Sequence, residues 1–180
     1  MLLYRRLKTA GDKPVLAIEL GPNWVVLRPG VAEFMQQVAQ IFDVAIWSSM
    51  QEGNLRRYIQ ILRDECLKVH GQQPFYVFVY SQRECTTLPT EARGHRPLFK
   101  KCLNQIRWRH FDPDATLFVD DSEEKLVDNP PNTYIVPTTY KGDPSDSFLL
   151  SHLLPYMRQL AKHPGTVSDF VLHNKLMEEH

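Results

Sequence analysis

The residues that could do chemistry stand mostly at the ends of apolar runs. Val15 to Asn23 reads Val-Leu-Ala-Ile-Glu-Leu-Gly-Pro-Asn, an apolar stretch that meets an acid and then turns. A buried parallel strand delivers a carboxylate to its carboxyl end in this way, and that end is where open α/β sheets build their sites. Asp43 to Trp47 is a second apolar run, closed by the hydroxyls of Ser48 and Ser49. Thr116 to Val119 is a third, closed by Asp120 and Asp121. An acid at such a place is costly unless it is paired. Glu19 with Asp120 or Asp121 could form a weak Mg²⁺ site, because that ion takes oxygen ligands and keeps several waters. Lys101 offers the competing arrangement, in which an ammonium group pairs with the acids and fills the pocket. The adjacent Lys100 also allows the plain reading of a solvated basic face. Ser48 could likewise serve a ligand or cap the helix that follows it.

Other candidates are weaker. His70, His95, His110, His152, His163, His173 and His180 are scattered, without the spacing of a ligand pair. Cys66, Cys85 and Cys102 show no CxxC pattern, so a zinc site and a disulfide framework are both unexpected. Lys plus Arg equals Asp plus Glu, 21 against 21, which supplies no global field for nucleic acid or an anionic membrane. A local cationic region runs from Arg93 through His95, Arg96, Lys100, Lys101, Arg107 and Arg109 to His110, and could grip RNA or an acidic partner. No apolar run approaches the ~20 residues of a membrane span.

The elements that must position these groups can be read from period and punctuation. The 180 residues suffice for one domain, and 43% hydrophobic content suits a packed core. Strands are expected at Lys13–Leu20, Asp43–Trp47, Phe75–Tyr80, Thr116–Val119 and Thr133–Val136. Helices are expected from Pro29 to about Ile41, with Val31, Phe34, Met35, Val38 and Ile41 on one face, and over Gln51–Val69, with Leu55, Tyr58, Ile59, Leu62 and Cys66 as the stripe. Further helices are expected at Pro97–Ile106 and Ser147–Ala161, the latter with Asp146 as its cap, and in the tail beyond Pro164. Residues 81–95 read as irregular. The alternation implies an α/β domain over 13–163 with a parallel sheet covered on both faces. Residues 1–12 read as a basic arm and 164–180 as a helical extension.

Four stretches in order resemble the RNA polymerase II C-terminal-domain phosphatase family, the NLI-interacting-factor-like branch of the haloacid dehalogenase superfamily. They are Val15–Asn23 with Arg28-Pro29-Gly30-Val31-Ala32-Glu33-Phe34, then Ile46-Trp47-Ser48-Ser49, then Pro97-Leu98-Phe99-Lys100-Lys101-Cys102-Leu103, and last Val119-Asp120-Asp121-Ser122. The resemblance implies a Rossmann-like domain with a central parallel sheet. It also implies a mechanism. One Asp attacks phosphorus, a second Asp exchanges the proton, a Ser or Thr and a Lys hold the phosphoryl oxygens, and the late acids bind Mg²⁺.

Set against the family's Asp-x-Asp-x-Thr, the first stretch supplies Glu19, Gly21 and Asn23, so the nucleophile is lengthened and the acid–base group is missing. Ser48, Lys101, Asp120 and Asp121 match. The expectation is a catalytically inactive phosphatase-like subunit of a larger assembly, with no cofactor, or Mg²⁺ if a site survives. The resemblance includes a mitochondrial translocase branch and the first ten residues hold bases but no acid, so a mitochondrial setting is expected, with nucleus and cytosol as alternatives. Two other functions stay open: a Mg²⁺-dependent protein serine/threonine phosphatase using Glu19, and a phosphopeptide-binding module using Ser48 and Lys101. The tail after Pro164 and the arm Arg5-Arg6-Leu7-Lys8 are the expected partner contacts.

Overall fold

A computed structural model describes residues 1–8, 13–89 and 97–176. The chain opens with an antiparallel sheet of β1 (Leu3–Leu7), β2 (Ile18–Leu20) and β3 (Asn23–Leu27), in the order β1-β3-β2. Leu20 pairs with Asn23, so Gly21 and Pro22 are the two-residue loop of a tight hairpin. Gly21 has φ +55°, the positive value that a hairpin with glycine first requires. The run expected as a buried parallel strand is therefore the outer arm of a hairpin, with Val15 and Leu16 exposed. The expected basic arm is also placed differently. Leu3 to Leu7 pairs along its whole length with β3, so this part of residues 1–12 belongs to the sheet.

Helix α1 (Val31–Ala39) buries Val31, Ala32, Phe34, Met35 and Val38, while Ile41 lies beyond its end and is exposed. Next come β4 (Ile46–Trp47), α2 (Glu52–His70) and β5 (Val79–Tyr80). The buried residues of α2 are Leu55, Tyr58, Ile59, Leu62 and Cys66, the stripe expected from the sequence. Gly71, at φ +71°, closes that helix by donating its N–H to the Leu67 carbonyl. An antiparallel pair follows, β6 (Thr86–Leu88) with β7 (Leu98–Lys100). The helix expected over Pro97–Ile106 is thus a strand and a short 3₁₀ turn at Leu103–Gln105. Strand β8 (Phe118–Val119) runs parallel to β9 (Tyr134–Ile135), as β4 does to β5.

The last part is helical. A wide π turn at Leu149–Leu153 leads into α3 (Leu154–Leu160), and α4 (Val167–His173) closes the described chain. Pro155 has no N–H to continue an α ladder, which accounts for the widened turn before it. Leu149, Leu153, Met157, Phe34, Ile59 and Phe170 share one core. The architecture is mixed α/β. Its parallel strands occur as two separate pairs rather than as one continuous central sheet among the described residues.

Candidate active site

Lys101 follows β7 directly, and its placement organises the site. Its backbone N–H donates to the Lys125 carbonyl at 2.8 Å, which turns the side chain inward. Neighbouring Lys100 points the other way, to Asp128 at 2.6 Å. Asn129 fixes the surrounding backbone. Its amide donates to the carbonyls of Lys101 and Leu126, both at 2.8 Å, and its oxygen accepts from the Leu103 N–H at 2.6 Å. In the sequence Asn129 reads only as part of a turn; nothing local to Asn-Pro-Pro shows that its side chain would serve two distant backbone groups, at Lys101 and Leu103, besides the nearby Leu126.

Lys101 is 3% exposed, and its ammonium meets two partners. It forms a hydrogen-bonded ion pair with Asp120 Oδ2, and it donates to the Trp47 carbonyl at 3.0 Å. Asp120 is also buried, and its Oδ1 accepts from the Ser122 N–H at 3.0 Å. Trp47 ends β4 and Asp120 follows β8, so Lys101 joins the carboxyl ends of the two parallel pairs. Phe118 stacks on Trp47 with ring centroids 5.6 Å apart.

Asp121 turns to a different cation. Its Oδ2 lies 3.3 Å from the α-ammonium of Met1. Burial pushes the Asp121 carboxyl up, but the Met1 ammonium, through charge and hydrogen bond, and Lys125 outweigh that and hold it below its ordinary value. Ser48 accepts the Met50 N–H at 3.2 Å in the turn before α2. Its hydroxyl holds the turn that leads into α2 but does not cap the helix, whose N-cap position is Gln51 with no side-chain cap bond. Ser48, Lys101, Asp120 and Asp121 all line one cleft.

Glu19 does not join them. It sits on β2 opposite Trp24, its side chain is 66% exposed, and it pairs with Lys8. The hydrogen bond and charge of Lys8 hold its carboxyl below the usual range. Gly21 and Asn23 belong to the same hairpin, and neither lines the cleft. Glu19 is therefore corrected from a remnant catalytic position to a hairpin position, whereas Gly21, Pro22 and Asn23 form the plain turn that is the other reading of those residues. The donor set expected for Mg²⁺ also fails to assemble. Glu19 is elsewhere, and among the described residues no three His, Cys, Asp or Glu side chains are grouped as metal ligands.

The cationic region is only partly in view. Arg93, His95 and Arg96 lie outside the described residues. Of the rest, Lys100 and Lys101 carry carboxylate partners, while Arg107, Arg109 and His110 are exposed.

A family model described as NLI interacting factor-like phosphatase matches residues 3–169. No curated protein matches the chain. Among solved structures, it is similar to a fission yeast RNA polymerase II CTD phosphatase Fcp1 variant bound to beryllium fluoride. That likeness has 14% identity and a TM-score of 0.48, and it covers 77% of this chain but 39% of that one. No helix among the described residues is long and apolar enough to cross a membrane.

Proposed function

We propose that this chain, which belongs to the NLI interacting factor-like phosphatase family, acts as a binding or structural subunit and does not turn over phosphate esters. The observation that carries this reading is the closed ion pair of Lys101 and Asp120. Attack on phosphorus and proton exchange each need a free carboxylate. At the carboxyl ends of β4 and β8 both carboxylates are committed, Asp120 to Lys101 and Asp121 to the Met1 ammonium. The alternative nucleophile, Glu19, stands on an exposed hairpin bound to Lys8. A phosphate-holding module needs an available cation, and Lys101 already satisfies a carboxylate and a carbonyl.

The test is turnover. The purified chain, with Mg²⁺, is assayed on an aryl phosphate and on phosphopeptides beside an active family member. Loss of acid–base catalysis alone lowers the rate by about 10²–10⁴, so at least that deficit is expected. A rate within about tenfold of the active relative overturns the proposal. The same proposal puts the chain in a multi-subunit, mitochondrial assembly, from the basic residues at 1–10 and the family's inclusion of a mitochondrial branch, with nucleus and cytosol as the alternatives. A native protein that runs as a lone monomer in its own extract, or that fractionates away from mitochondria, removes that part.

A further inference from the structure

An outer strand of a sheet leaves one row of N–H and C=O groups without a ladder, which makes it a template for another chain. β1 is such a strand: it stands at one end of the order β1-β3-β2, and its ladder is with β3 alone. That ladder fixes which residues face outward. The Lys8 N–H donates to the Pro22 carbonyl and the Arg28 N–H to the Leu2 carbonyl, both at 3.0 Å, and both pairs continue the β1–β3 register. Opposite pairs in an antiparallel ladder alternate between bonded and non-bonded. Tyr4 and Arg6 therefore bond to β3, while Leu3, Arg5 and Leu7 aim their backbone groups away from it. Among the described residues no other strand pairs with β1. Its sequence is Leu-Tyr-Arg-Arg-Leu, with cations and no acid. The side chains of Leu3, Arg5 and Leu7 share one face, because strand residues alternate. Leu7 is 56% exposed, and Arg5 is exposed as well. Arg5 has no carboxylate partner among the described residues, whereas Lys8, on the other face, is held by Glu19.

We infer that the outer edge of β1 docks an acidic, extended segment of a partner protein, which adds to the sheet as a further antiparallel strand. The guest's main chain bonds to Leu3, Arg5 and Leu7. A carboxylate stands opposite Arg5, and apolar side chains stand opposite Leu3 and Leu7. The guest therefore reads apolar-x-acid-x-apolar, with x on the other face of the sheet. In strand addition the main-chain bonds give affinity and alternate side chains give selectivity. Charge decides the occupant here. A cation in the middle of an open edge opposes indiscriminate pairing. A second copy of this chain fits badly, because antiparallel pairing of Leu3–Leu7 with itself in full register sets Arg5 opposite Arg5. Like charges directly opposite are destabilising, and an opposite charge at that place is favourable. The inference deepens the binding role proposed above by giving the partner's chemistry. Turnover and docking are measured separately: a chain that bound the guest and also hydrolysed phosphate esters would overturn that proposal and leave this one intact.

The experiment uses the full chain and a pair of synthetic peptides with blocked ends, Thr-Val-Thr-Glu-Thr-Val-Thr and Thr-Val-Thr-Lys-Thr-Val-Thr. Binding is titrated, and amide hydrogen exchange locates it. The glutamate peptide is expected to slow the Leu3, Arg5 and Leu7 amides by about tenfold or more, saturably, while the chain stays monomeric. The lysine peptide is expected to bind at least about fivefold more weakly. Arg5→Glu, a change at an exposed side chain, is expected to reverse that preference. A glutamate peptide N-methylated at its Val and Glu residues, whose N–H groups face β1, is expected to give no slowing. Equal affinity for the two charged peptides overturns the inference, as does a preference that Arg5→Glu leaves unchanged. So does slowing by the N-methylated peptide, slowing confined to other strands, or no saturable binding up to about 5 mM peptide. If these three amides in the free monomer already exchange as slowly as those of Tyr4 and Arg6, the chain covers its own edge and the inference falls. Protection that appears with self-association assigns the edge to a second copy and overturns it too.

Discussion

Lys101 and Asp120 are 4% and 10% exposed at their side chains, so each is costly to bury without the other. Lys101→Ala is expected to cost about 3–5 kcal/mol in urea unfolding, because it leaves Asp120 buried and unpaired. Replacing both, as Lys101→Met with Asp120→Leu, is expected to recover most of that loss, since an apolar pair of similar volume is often no worse than a buried ion pair. A cost below about 1 kcal/mol for the single change would show that the pair is not what closes the site. Asp121 gives a pH-dependent counterpart. Its carboxyl is held below its ordinary value in the folded chain, so its contribution is complete above the unfolded value and is lost as pH falls through the lower, folded one. The stability difference between the wild-type chain and Asp121→Asn is therefore expected to be constant between about pH 5 and pH 7 and to shrink below about pH 4, near the ordinary Asp value. A difference that grows on acidification would contradict the Met1 contact.

At the scale of elements, the Arg28-Pro29-Gly30 turn shows how a motif can be legible while its purpose is not. Arg28 is buried, and its fork binds the Asp146 carboxylate at 2.7 and 2.8 Å. It also lies over the Phe148 ring, 4.4 Å from the centroid. The motif thus ties the start of α1 to the segment before α3. Asp146 Oδ1 also accepts the Phe148 N–H at 3.2 Å. Gly30 has φ +72°, and a Cβ there would stand 2.7 Å from Leu150 Cδ1. Gly30→Ala is expected to lower stability by about 1–2 kcal/mol from the left-handed backbone alone, measured by chemical unfolding, and an unchanged midpoint would show that the turn relaxes. The helical stripes of α1 and α2 are readable in the sequence because each is long and amphipathic. Ser48 and the Asp120-Asp121 pair are readable because each follows a short apolar run, whereas Lys101 is singled out by the resemblance to the family's lysine segment. The failures share a cause. A short apolar run before a turn looks the same in a buried parallel strand and in an exposed hairpin, so Val15 to Glu19 points to the wrong sheet. Leu98, Cys102 and Ile106 have helical spacing, yet pairing with the distant Thr86–Leu88 makes the first of them part of a strand. No local pattern encodes that partner.

For the molecule as a whole, the question is whether the tail beyond Pro164 serves a partner or the chain's own core. Its apolar residues read either as a contact with another subunit or as packing onto the chain's own domain. Among the described residues, Val167 and Phe170 are buried, Val171 and Leu176 pack partly against the main core, and Leu172 is strongly exposed. Phe170 meets Tyr156 edge-on with centroids 5.0 Å apart. Tyr156 in turn donates its hydroxyl hydrogen to the Asn174 carbonyl at 3.0 Å. Burial pushes the Tyr156 phenol up to about 12, as a partly desolvated hydroxyl requires. The N-terminus of α4 is capped by Thr166, which accepts from the Asp169 N–H at 3.1 Å. Helix α4 therefore completes the core rather than decorating it. Phe170→Ala is expected to cost about 3–5 kcal/mol, the range for a buried aromatic ring. Leu172→Ala should change stability by no more than about 0.5 kcal/mol. A chain ending at Pro164 should lose at least as much as Phe170→Ala, and should expose the Tyr156 side of the core. Chemical unfolding of the three variants measures the order. If the shortened chain keeps wild-type stability, α4 contributes nothing to the fold, and its apolar face becomes a surface for the assembly.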